Sequence, residues 1–182
     1  MATGLKNALS NAPYMKLRPT ERFAVLVASL GGAGYVPKAP GTMGTLVSIP
    51  LVYYGMGPLS LVGRLLLVAA ATALAVWSAG VAVRVWGEED CPRIVVDEMA
   101  GFMISLIPFP IQAGTILAAF ALFRLFDIAK PWPCRQIDRN MEGGAGVVFD
   151  DLAAGVYTLL SLFILNAVLA SQSISFYGLG KN

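Results

Sequence analysis

Residues 65–83 read LLLVAAATALAVWSAGVAV, a stretch without a charged residue or a proline. About 20 apolar residues in a helix cross the hydrocarbon core of a bilayer, so this stretch predicts a membrane-spanning helix. Arg64 and Arg84 bracket it, and their long side chains can reach the head groups. The whole 182-residue chain is 57% hydrophobic and 13% charged, against about 25% charged residues in soluble domains. A membrane protein, or an unusually buried helical bundle, is expected.

Two other uncharged runs predict further helices. Residues 99–123 are interrupted by PFPIQAG, which predicts a helical hairpin or one kinked helix with halves of about ten residues. Residues 152–170 form another helix, and Thr20 is expected to cap a first helix that stops at Gly31. Residues 31–45 are too rich in Gly and Pro for regular structure. Because no alternating strand pattern appears, the fold is all-α: a compact helical bundle with several membrane-embedded or membrane-spanning helices and one polar face.

The chain is expected to form one domain. Residues 20–172 make up this helical domain, with a polar N-terminal tail at 1–19 and a C-terminal tail at 173–182. Basic residues in the N-terminal tail favour the cytoplasmic side of the membrane, and the tail lacks the apolar core of a signal peptide.

The composition also bears on partners and redox state. A net charge of +2 is too small for a nucleic-acid-binding surface. Cys91 and Cys134 make no zinc motif, and two free thiols in a reducing compartment are expected, with a disulfide as the alternative. Assembly into a homo-oligomer is left open.

The carboxylates are concentrated in two windows of the sequence. Of eleven acidic residues only Glu21 lies outside them. The first window holds Glu88, Glu89, Asp90, Asp97 and Glu98, and the second holds Asp127, Asp138, Glu142, Asp150 and Asp151. If residues 99–123 enter the membrane and return, both windows share one membrane face, which predicts a site at the membrane surface.

Several chemistries are excluded by composition. The chain has no histidine, so a phosphohistidine, a Ser-His-Asp triad and a histidine-bound zinc are impossible. Neither cysteine precedes a phosphate-binding loop, and no Asp-x-Asp-x-Thr, Walker or dinucleotide motif is present. Carboxylates, Lys, Arg and a Gly-rich loop remain, and these hard oxygen ligands suit Mg²⁺ together with a phosphate.

The segment VVDEMAG carries the first candidate pair, Asp97 and Glu98. Adjacent residues of a helix diverge by about 100°, whereas Asp97 and Gly101 share a face, so a ligand or a second backbone can approach there. The alternative is a solvated helix start, where acids are favoured by the helix dipole.

The segment FRLFDIAKPWPCRQIDRN at 123–140 carries mixed charges directly after an apolar run. Arg124, Asp127 and Lys130 are spaced by three, so they are predicted to share one helical face, and Pro131 ends the helix. Ionisable groups at such a boundary suggest a functional site. The alternative is a salt-bridge ladder worth a few tenths of a kcal/mol.

The segment GGAGVVFDDLAAG places Asp150 and Asp151 together. They are expected to open the last apolar helix, so that one serves as a structural cap while the other is a metal ligand.

The Gly-rich loop GAGYVPKAPGTMGT leads into a helix. Its backbone N–H groups and the helix N-terminus form a candidate anion site, to which Lys38, Thr42 and Thr45 could add donors. An ordinary loop is the alternative.

Four segments together resemble the phosphatidylglycerophosphatase A family of bacterial lipid phosphatases. They are PKAPGTMGTL (37–46), IVVDEMAG (94–101), FRLFDIAKPWPCRQIDRN (123–140) and GGAGVVFDDLAAGV (143–156). They follow the family order and spacing, and the resemblance covers roughly residues 21–165.

The resemblance implies a Mg²⁺-dependent hydrolysis of phosphatidylglycerophosphate to phosphatidylglycerol and phosphate, in bacterial phospholipid biosynthesis. It implies an all-helical fold at the bacterial inner membrane with the active site on the cytoplasmic side, so the expected partners are the lipid substrate and the membrane. The residues carried over fall into three groups. The catalytic ones are Asp97, Glu98, Asp127, Lys130 and Arg124; the phosphate-binding ones are Lys38, Gly41, Thr42, Arg124 and Lys130; the metal ligands are Asp97, Asp127, Asp150 and Asp151.

Two alternative functions stay open at the level of the sequence. A small ion or proton carrier would need ionisable groups inside the apolar segments, which 65–83, 99–123 and 152–180 lack. The hypothesis of a membrane scaffold or assembly factor does not explain the Gly-rich loop or the mixed positive and negative charges of residues 123–140. Within the phosphatase hypothesis, direct attack by water and an aspartyl-phosphate route are both considered.

Overall fold

The computed structural model describes residues 17–89 and 91–171. Residues 1–16, Asp90 and residues 172–182 lie outside the described residues, and so do the predicted C-terminal tail at 173–182 and most of the predicted N-terminal tail at 1–19. Within the described ranges the chain is helical without strands, so the all-α prediction is confirmed. The α-helices are α1 Pro19–Ala28, α2 Pro40–Leu51, α3 Leu61–Trp86, α4 Val96–Ser105, α5 Ala113–Ala129, α6 Cys134–Asn140 and α7 Gly143–Ser171.

Helices α3 and α7 are long and apolar enough to cross a membrane. Helix α3 contains the whole 65–83 stretch; Ser60 caps its start, and Gly87 ends it in a left-handed conformation. Large apolar side chains on both helices point outward, with Leu66 68% exposed and Ile164 67% exposed. Water would penalise such a surface, whereas lipid would cover it at no cost. Both helices thus have the length and the outward-facing apolar surface of membrane-spanning segments.

Helices α4 and α5 form the predicted hairpin, joined by residues 106–112. At ten residues α4 is only about 15 Å long, too short to span a bilayer. It is covered by protein instead, and its Phe102 is fully buried beside Phe123 of α5, with ring centroids 6.2 Å apart. The hairpin returns the chain to its starting side, so the start of α4 and the end of α5 lie at the same end of the molecule.

Helix α4 crosses α7 at two glycines, and this is the most extensive helix contact in the fold. A Cβ atom on Gly155 would collide with the carbonyl oxygen of Gly101. One on Gly101 would collide with the carbonyl oxygen of Asp151 and the ring of Phe123. Only glycine permits this close approach. The crossing therefore holds the start of α4 against the first half of α7.

Arg64 holds the opposite end of the molecule together. Its Nε donates to the carbonyl oxygens of Met56 at 3.1 Å and Leu59 at 3.2 Å. Its Nη1 donates to those of Ile107 at 3.2 Å and Phe109 at 2.5 Å. These carbonyls lie where helical segments end, and carbonyl groups at helix ends commonly need partners from outside the helix. One guanidinium thus donates hydrogen bonds to carbonyl groups of both the turn after α2 and the α4–α5 turn, and so holds the two turns together.

Helix α1 starts two residues earlier than predicted, at Pro19. Its N-cap is Arg18, whose backbone N–H donates to Glu21 Oε2 at 2.8 Å. The prediction that Thr20 caps this helix is therefore wrong. Pro19 explains the difference, because its fixed φ favours the first helical position.

Residues 31–45 are more regular than predicted. A 3-10 turn covers Leu30–Tyr35, and α2 already begins at Pro40. Gly44 lies inside α2 against Val95, where a Cβ atom would not fit. A proline at the first helical position and glycines at close contacts explain why a sequence that looks like a loop forms a helix.

Helix α7 begins at Gly143, so Asp150 and Asp151 lie inside the helix and do not open it. The cap prediction for this pair is wrong. Gly144 and Gly146 occupy the first turn because a Cβ atom on either would collide with neighbouring backbone. Glycine costs up to about 1 kcal/mol in a helix relative to alanine, and here close packing overrides that preference.

Candidate active site

The two acidic windows meet at one cavity of about 170 Å³, as the hairpin prediction required. The start of α4, the end of α5, helix α6 and the third turn of α7 surround it. Its lining residues are Glu89, Cys91, Pro92, Ile94, Asp97, Glu98, Asp127, Lys130, Asp138, Val147, Asp150 and Asp151.

Three carboxylates in this cavity form a compact group. Ligand oxygens of Asp97, Glu98 and Asp151 lie within 4.8 Å of one another. The first two come from the first turn of α4 and the third from α7, and the Gly101–Gly155 crossing brings these turns together. We call Asp97, Glu98 and Asp151 the carboxylate triad.

Burial makes negative charge costly in the triad. Desolvation, followed by the charge of the neighbouring Glu98, raises the pKa of Asp97 well above its ordinary value. Desolvation likewise raises the pKa of Glu98 to about 8, although a hydrogen bond from Asp97 opposes the shift. Glu98 Oε2 is buried without a hydrogen-bond partner. A buried acceptor of this kind needs either a proton or a cation.

Arg124 and Asp127 lie beside the triad on the last turns of α5. Arg124 pairs with Asp127, as the spacing of three predicts, and its Nη1 lies 3.8 Å from Glu98 Oε1. Asp127 also lies close to Asp151 of α7. Arg124 therefore links α5 to the triad at Glu98, and Asp127 lies beside the triad at Asp151.

Lys130 faces a different part of the cavity. It ends α5 in the left-handed conformation, with φ 42° and ψ 63°. Its side chain leaves the face that carries Arg124 and Asp127, so the prediction of one shared face is wrong for Lys130. Its Nζ donates to Asp138 Oδ1 at 2.6 Å and to Asp150 Oδ2 at 2.9 Å. Burial lowers the pKa of Lys130, but these two hydrogen bonds outweigh burial and raise it above its usual range.

The Gly-rich loop meets the site through one residue of its helix. Gly41, in the first turn of α2, packs against the Glu98 carboxylate and the Arg124 guanidinium, and a Cβ atom there would collide with Glu98 Oε1 and make a tight contact with Arg124. Lys38 is exposed and Thr42 half-buried, and neither belongs to the cavity lining. The Thr45 hydroxyl is turned away and donates to the Gly41 carbonyl at 3.0 Å.

The structure brings most of the predicted site residues together. Asp97, Glu98, Asp127, Lys130, Asp150 and Asp151 line the cavity, and Arg124 contacts two of them. Asp127 and Asp150, both predicted as metal ligands, are engaged by Arg124 and Lys130 respectively. Glu98, predicted as catalytic, also lies among the possible metal ligands.

Six lining residues were not among the predicted site residues, and three of them, Asp138, Glu89 and Cys91, carry a carboxylate or a thiol. Asp138 accepts a hydrogen bond from Lys130 at 2.6 Å. It lies eight residues after Lys130, in the same segment 123–140, but it was not predicted as a site residue. Glu89 Oε2 accepts a hydrogen bond from the backbone N–H of Gly143 at 2.8 Å, which joins the α3–α4 loop to the start of α7. Cys91 is buried and free, as is Cys134, so the free-thiol prediction is confirmed.

The triad suits a divalent cation such as Mg²⁺. Its donors are hard carboxylate oxygens, which Mg²⁺ prefers, and Glu98 Oε2 is a buried oxygen that still needs a positive partner. Asp97, Glu98 and Asp151 could therefore hold a metal ion, while Arg124 and Lys130 offer fixed positive charges at the sides. Such an arrangement can bind an anion that bridges the ion and the two cations.

Comparison with known proteins gives a consistent picture. A family described as Phosphatidylglycerophosphatase A matches residues 26–166 of the chain. No solved structure matches.

Three relatives are similar over most of their length. A Bacteroides thetaiotaomicron protein, named as a candidate phosphatidylinositol-3-phosphatase, is 42% identical over 151 residues, or 79% of this chain and 91% of its own. The Phosphatidylglycerophosphatase A of Escherichia coli K12 is 37% identical over 135 residues, covering 74% of this chain and 78% of its own. That of Haemophilus influenzae is 35% identical over 159 residues, covering 85% and 95%.

Proposed function

This chain belongs to the phosphatidylglycerophosphatase A family and is a phosphatase, and we propose that it converts phosphatidylglycerophosphate to phosphatidylglycerol and inorganic phosphate with the help of Mg²⁺. The reaction would complete the synthesis of that lipid in a bacterial membrane. Family membership leaves no support for the ion-carrier and scaffold alternatives.

The observation that carries this proposal is the pairing of a buried carboxylate triad with two fixed cations. A phosphomonoester is a dianion, which an acidic cavity would repel. Arg124 and Lys130 offset part of that charge, and a cation on Asp97, Glu98 and Asp151 would offset more. When bound, Mg²⁺ supplies positive charge and Lewis acidity to the phosphate oxygens.

The remaining steps fall to side chains of the chain itself. Arg124 and Lys130 orient the phosphate and neutralise the charge spread over its oxygens during transfer. A water molecule attacks phosphorus and passes a proton to a carboxylate of the adjacent pair, Asp97 or Glu98. The bond from phosphorus to the glycerol oxygen breaks, and that oxygen takes up a proton. The acyl chains stay in the bilayer beside the apolar helices.

The distribution of basic residues supports a site on the cytoplasmic side of the inner membrane. Arg64 and Arg84 are twenty residues apart on α3, or about 30 Å, which matches the hydrocarbon thickness. Arg84 lies at the cavity end together with the cations of α5 and α6, while Arg64 lies at the far end with its charge tied to carbonyl groups. Basic loops stay on the cytoplasmic side of a membrane.

The test is phosphate release by the purified full chain in detergent micelles. We expect release from phosphatidylglycerophosphate, its loss on treatment with EDTA, and its return with Mg²⁺. Phosphatidylinositol 3-phosphate is the second substrate, because one relative carries that name. A preference for the inositol lipid would replace the proposed substrate, and EDTA-resistant turnover would remove the metal from the proposal.

Asp127→Asn tests the site itself. It keeps the shape of the side chain but removes the negative charge that pairs with Arg124, so we expect kcat to fall by about 10²–10³. Glu142→Gln is the matched control, because Glu142 is exposed and does not line the cavity. Near-normal turnover by a folded Asp127→Asn protein would take Asp127 out of the machinery.

The attacking group can be identified separately. Rapid quenching with ³²P-labelled substrate should give no labelled protein if water attacks directly. A trapped acid-stable acyl phosphate would instead establish the aspartyl-phosphate route.

A further inference from the structure

We propose that Lys130, held in place by Asp138, serves as the fixed second cation of this site, so that the cavity takes one divalent ion and not two. This inference rests on the proposed phosphatase function and adds the number of ions and a role for Asp138. Two-metal phosphatases place two ions about 3.5–4 Å apart to stabilise the attacking and leaving oxygens. Here the ammonium group of Lys130 occupies the position in the cavity where a second metal ion would otherwise bind.

The geometry divides the carboxylates of the cavity into two groups. Asp97, Glu98 and Asp151 approach one another within 4.8 Å and could share an ion. Asp138 and Asp150 instead converge on Lys130 Nζ, at 2.6 Å and 2.9 Å. An ammonium bound by two carboxylates at these distances occupies the place that a second ion would need.

The backbone at Lys130 is strained. The residue adopts φ 42° and ψ 63°, a left-handed conformation at a helix end that glycine adopts without cost. Such strained positions persist where the surrounding structure holds them, and they are common at functional sites. Pro131 follows at once and fixes the direction in which the chain leaves α5.

Asp138 is a positioning residue under this proposal. It lies on α6, is half-buried, and lines the cavity. Asp150 is the other partner of Lys130, and its Oδ1 is buried without a hydrogen-bond partner. Losing Asp138 would leave Lys130 with one anchor and free its flexible stem, whereas the triad would be untouched.

The test counts ions without substrate. The full chain in detergent is titrated with Mn²⁺ and the bound ion is measured by electron paramagnetic resonance. We expect one Mn²⁺ per wild-type chain, one per Asp138→Asn chain with Kd within threefold, and a second, weaker equivalent in Lys130→Ala, where Asp138 and Asp150 lose their cation. Two Mn²⁺ in the wild type, or a single equivalent in folded Lys130→Ala, would overturn the proposal.

Kinetics then test whether Asp138 acts through Lys130. We expect Asp138→Asn to lower kcat at least tenfold with little change in KM, and Lys130→Ala to lower kcat further. The double variant should be no slower than Lys130→Ala alone, because the positioning residue has nothing left to position. Multiplicative losses would instead show that the two residues act independently, which contradicts the proposal.

Arg135→Met is the matched control, because it removes an exposed cation of α6 that does not line the cavity. Thermal melting of every variant separates folding defects from site defects. Failure of the substrate assignment is distinguishable, since the Mn²⁺ count needs no substrate: one ion per chain without turnover of phosphatidylglycerophosphate would reject the proposed substrate and keep the role of Lys130.

Discussion

At Gly41 the missing side chain allows helix α2 to start directly against the active-site charges. The Glu98 carboxylate and the Arg124 guanidinium occupy the space that a Cβ atom would need. The first-turn N–H groups of a helix attract anions, so this contact sets the positive end of α2 beside the site. Gly41 thus couples the Gly-rich segment to the carboxylate triad more closely than Lys38 or Thr42 does.

Gly41→Ala should therefore impair catalysis more than folding. The added methyl group must displace Glu98 or Arg124, and a shift of about 1 Å in such a group costs on the order of 10²-fold in rate. Alanine is also a better helix former than glycine, by up to about 1 kcal/mol, which limits the loss of stability. Steady-state kinetics on the lipid substrate and thermal melting are the measurements.

Gly55→Ala provides the control for that substitution. A Cβ atom at Gly55 would meet only Leu67 Cδ2 at 3.9 Å, an ordinary contact. Its turnover should stay near that of the wild type. Equal kcat values for the two variants would show that a methyl group at position 41 leaves the site unperturbed.

Single residues were predictable from sequence where local spacing decides their contacts. The spacing of three between Arg124 and Asp127 predicts their ion pair, which is observed. The same spacing fails for Lys130, because a left-handed residue before Pro131 redirects its side chain. Asp138 was missed for a related reason. The turn between α5 and α6 brings it to Lys130, and the helical periodicity of the sequence does not describe the path of that turn.

Among the helices, α4 and α7 owe their contact to glycine. The apolar run at 152–170 predicts the second half of α7, but the first two turns contain glycines, which helix propensity disfavours. Gly144, in the first turn, packs against the backbone of Val76 and Gly80 on α3. Further along α7, Gly155 packs against Gly101 of α4. A sequence does not show which backbone will approach, so the start of α7 could not be predicted from it.

Gly155→Ala should separate α4 from α7. A Cβ atom there collides with the Gly101 carbonyl, and overpacking of this kind costs about 1–3 kcal/mol. For a protein of this size the Tm should fall by roughly 2–4 °C per kcal/mol. The same crossing places Asp151 next to Asp97 and Glu98, so the affinity of the chain for Mn²⁺ should fall as well.

Gly80→Ala is the comparison at the α3–α7 crossing. Its Cβ atom would lie 3.5 Å from the nearest atom of Gly144, an ordinary contact. We expect an unchanged or higher Tm, since alanine favours the helix. A Gly155→Ala protein as stable as Gly80→Ala would mean that the α4–α7 crossing tolerates a side chain.

For the molecule as a whole, the acidic cavity makes stability depend on pH and on cations. Burial raises the pKa of Asp97 and that of Glu98, the latter from 4.5 to about 8. A carboxyl whose folded pKa is raised binds its proton more tightly in the folded state. Its contribution to stability is complete below about 4.5 and is lost as the pH rises through about 8.

The metal-free protein should therefore melt at a lower temperature at pH 8.5 than at pH 5.5. Each such group changes the free energy of unfolding by up to about 1.4 kcal/mol per pH unit. Mg²⁺ binds the ionised carboxylates, so it should raise the Tm more at pH 8.5 than at pH 5.5. Melting curves in EDTA and in Mg²⁺ at both values provide the measurement.

Glu98→Gln and Glu142→Gln form the matched pair for this experiment. The first removes a buried titrating group and should flatten the pH dependence. The second removes an exposed carboxylate outside the cavity and should leave it unchanged. A metal-free Tm that stays constant between the two pH values would contradict the raised pKa values.

The overall arrangement was the most predictable level of the structure. Uncharged runs predict helices, and the interruption at PFPIQAG predicts the hairpin that returns Asp127 to the side of Asp97. Together these features predict one acidic face. The sequence could not predict how the carboxylates divide between the triad and Lys130, because that division depends on contacts between four separate segments.

The size of the cavity has a consequence for anyone who wishes to retarget the enzyme. Sites that enclose a drug-sized ligand measure about 300–1,000 Å³, whereas this chamber measures about 170 Å³. Under the proposed function it would hold the phosphate group, while the sugar or polyol would stay outside. Exposed residues at the rim of the cavity, such as Glu89 and Pro92, should then determine selectivity among head groups. Library design should diversify that rim and leave the chemical machinery intact.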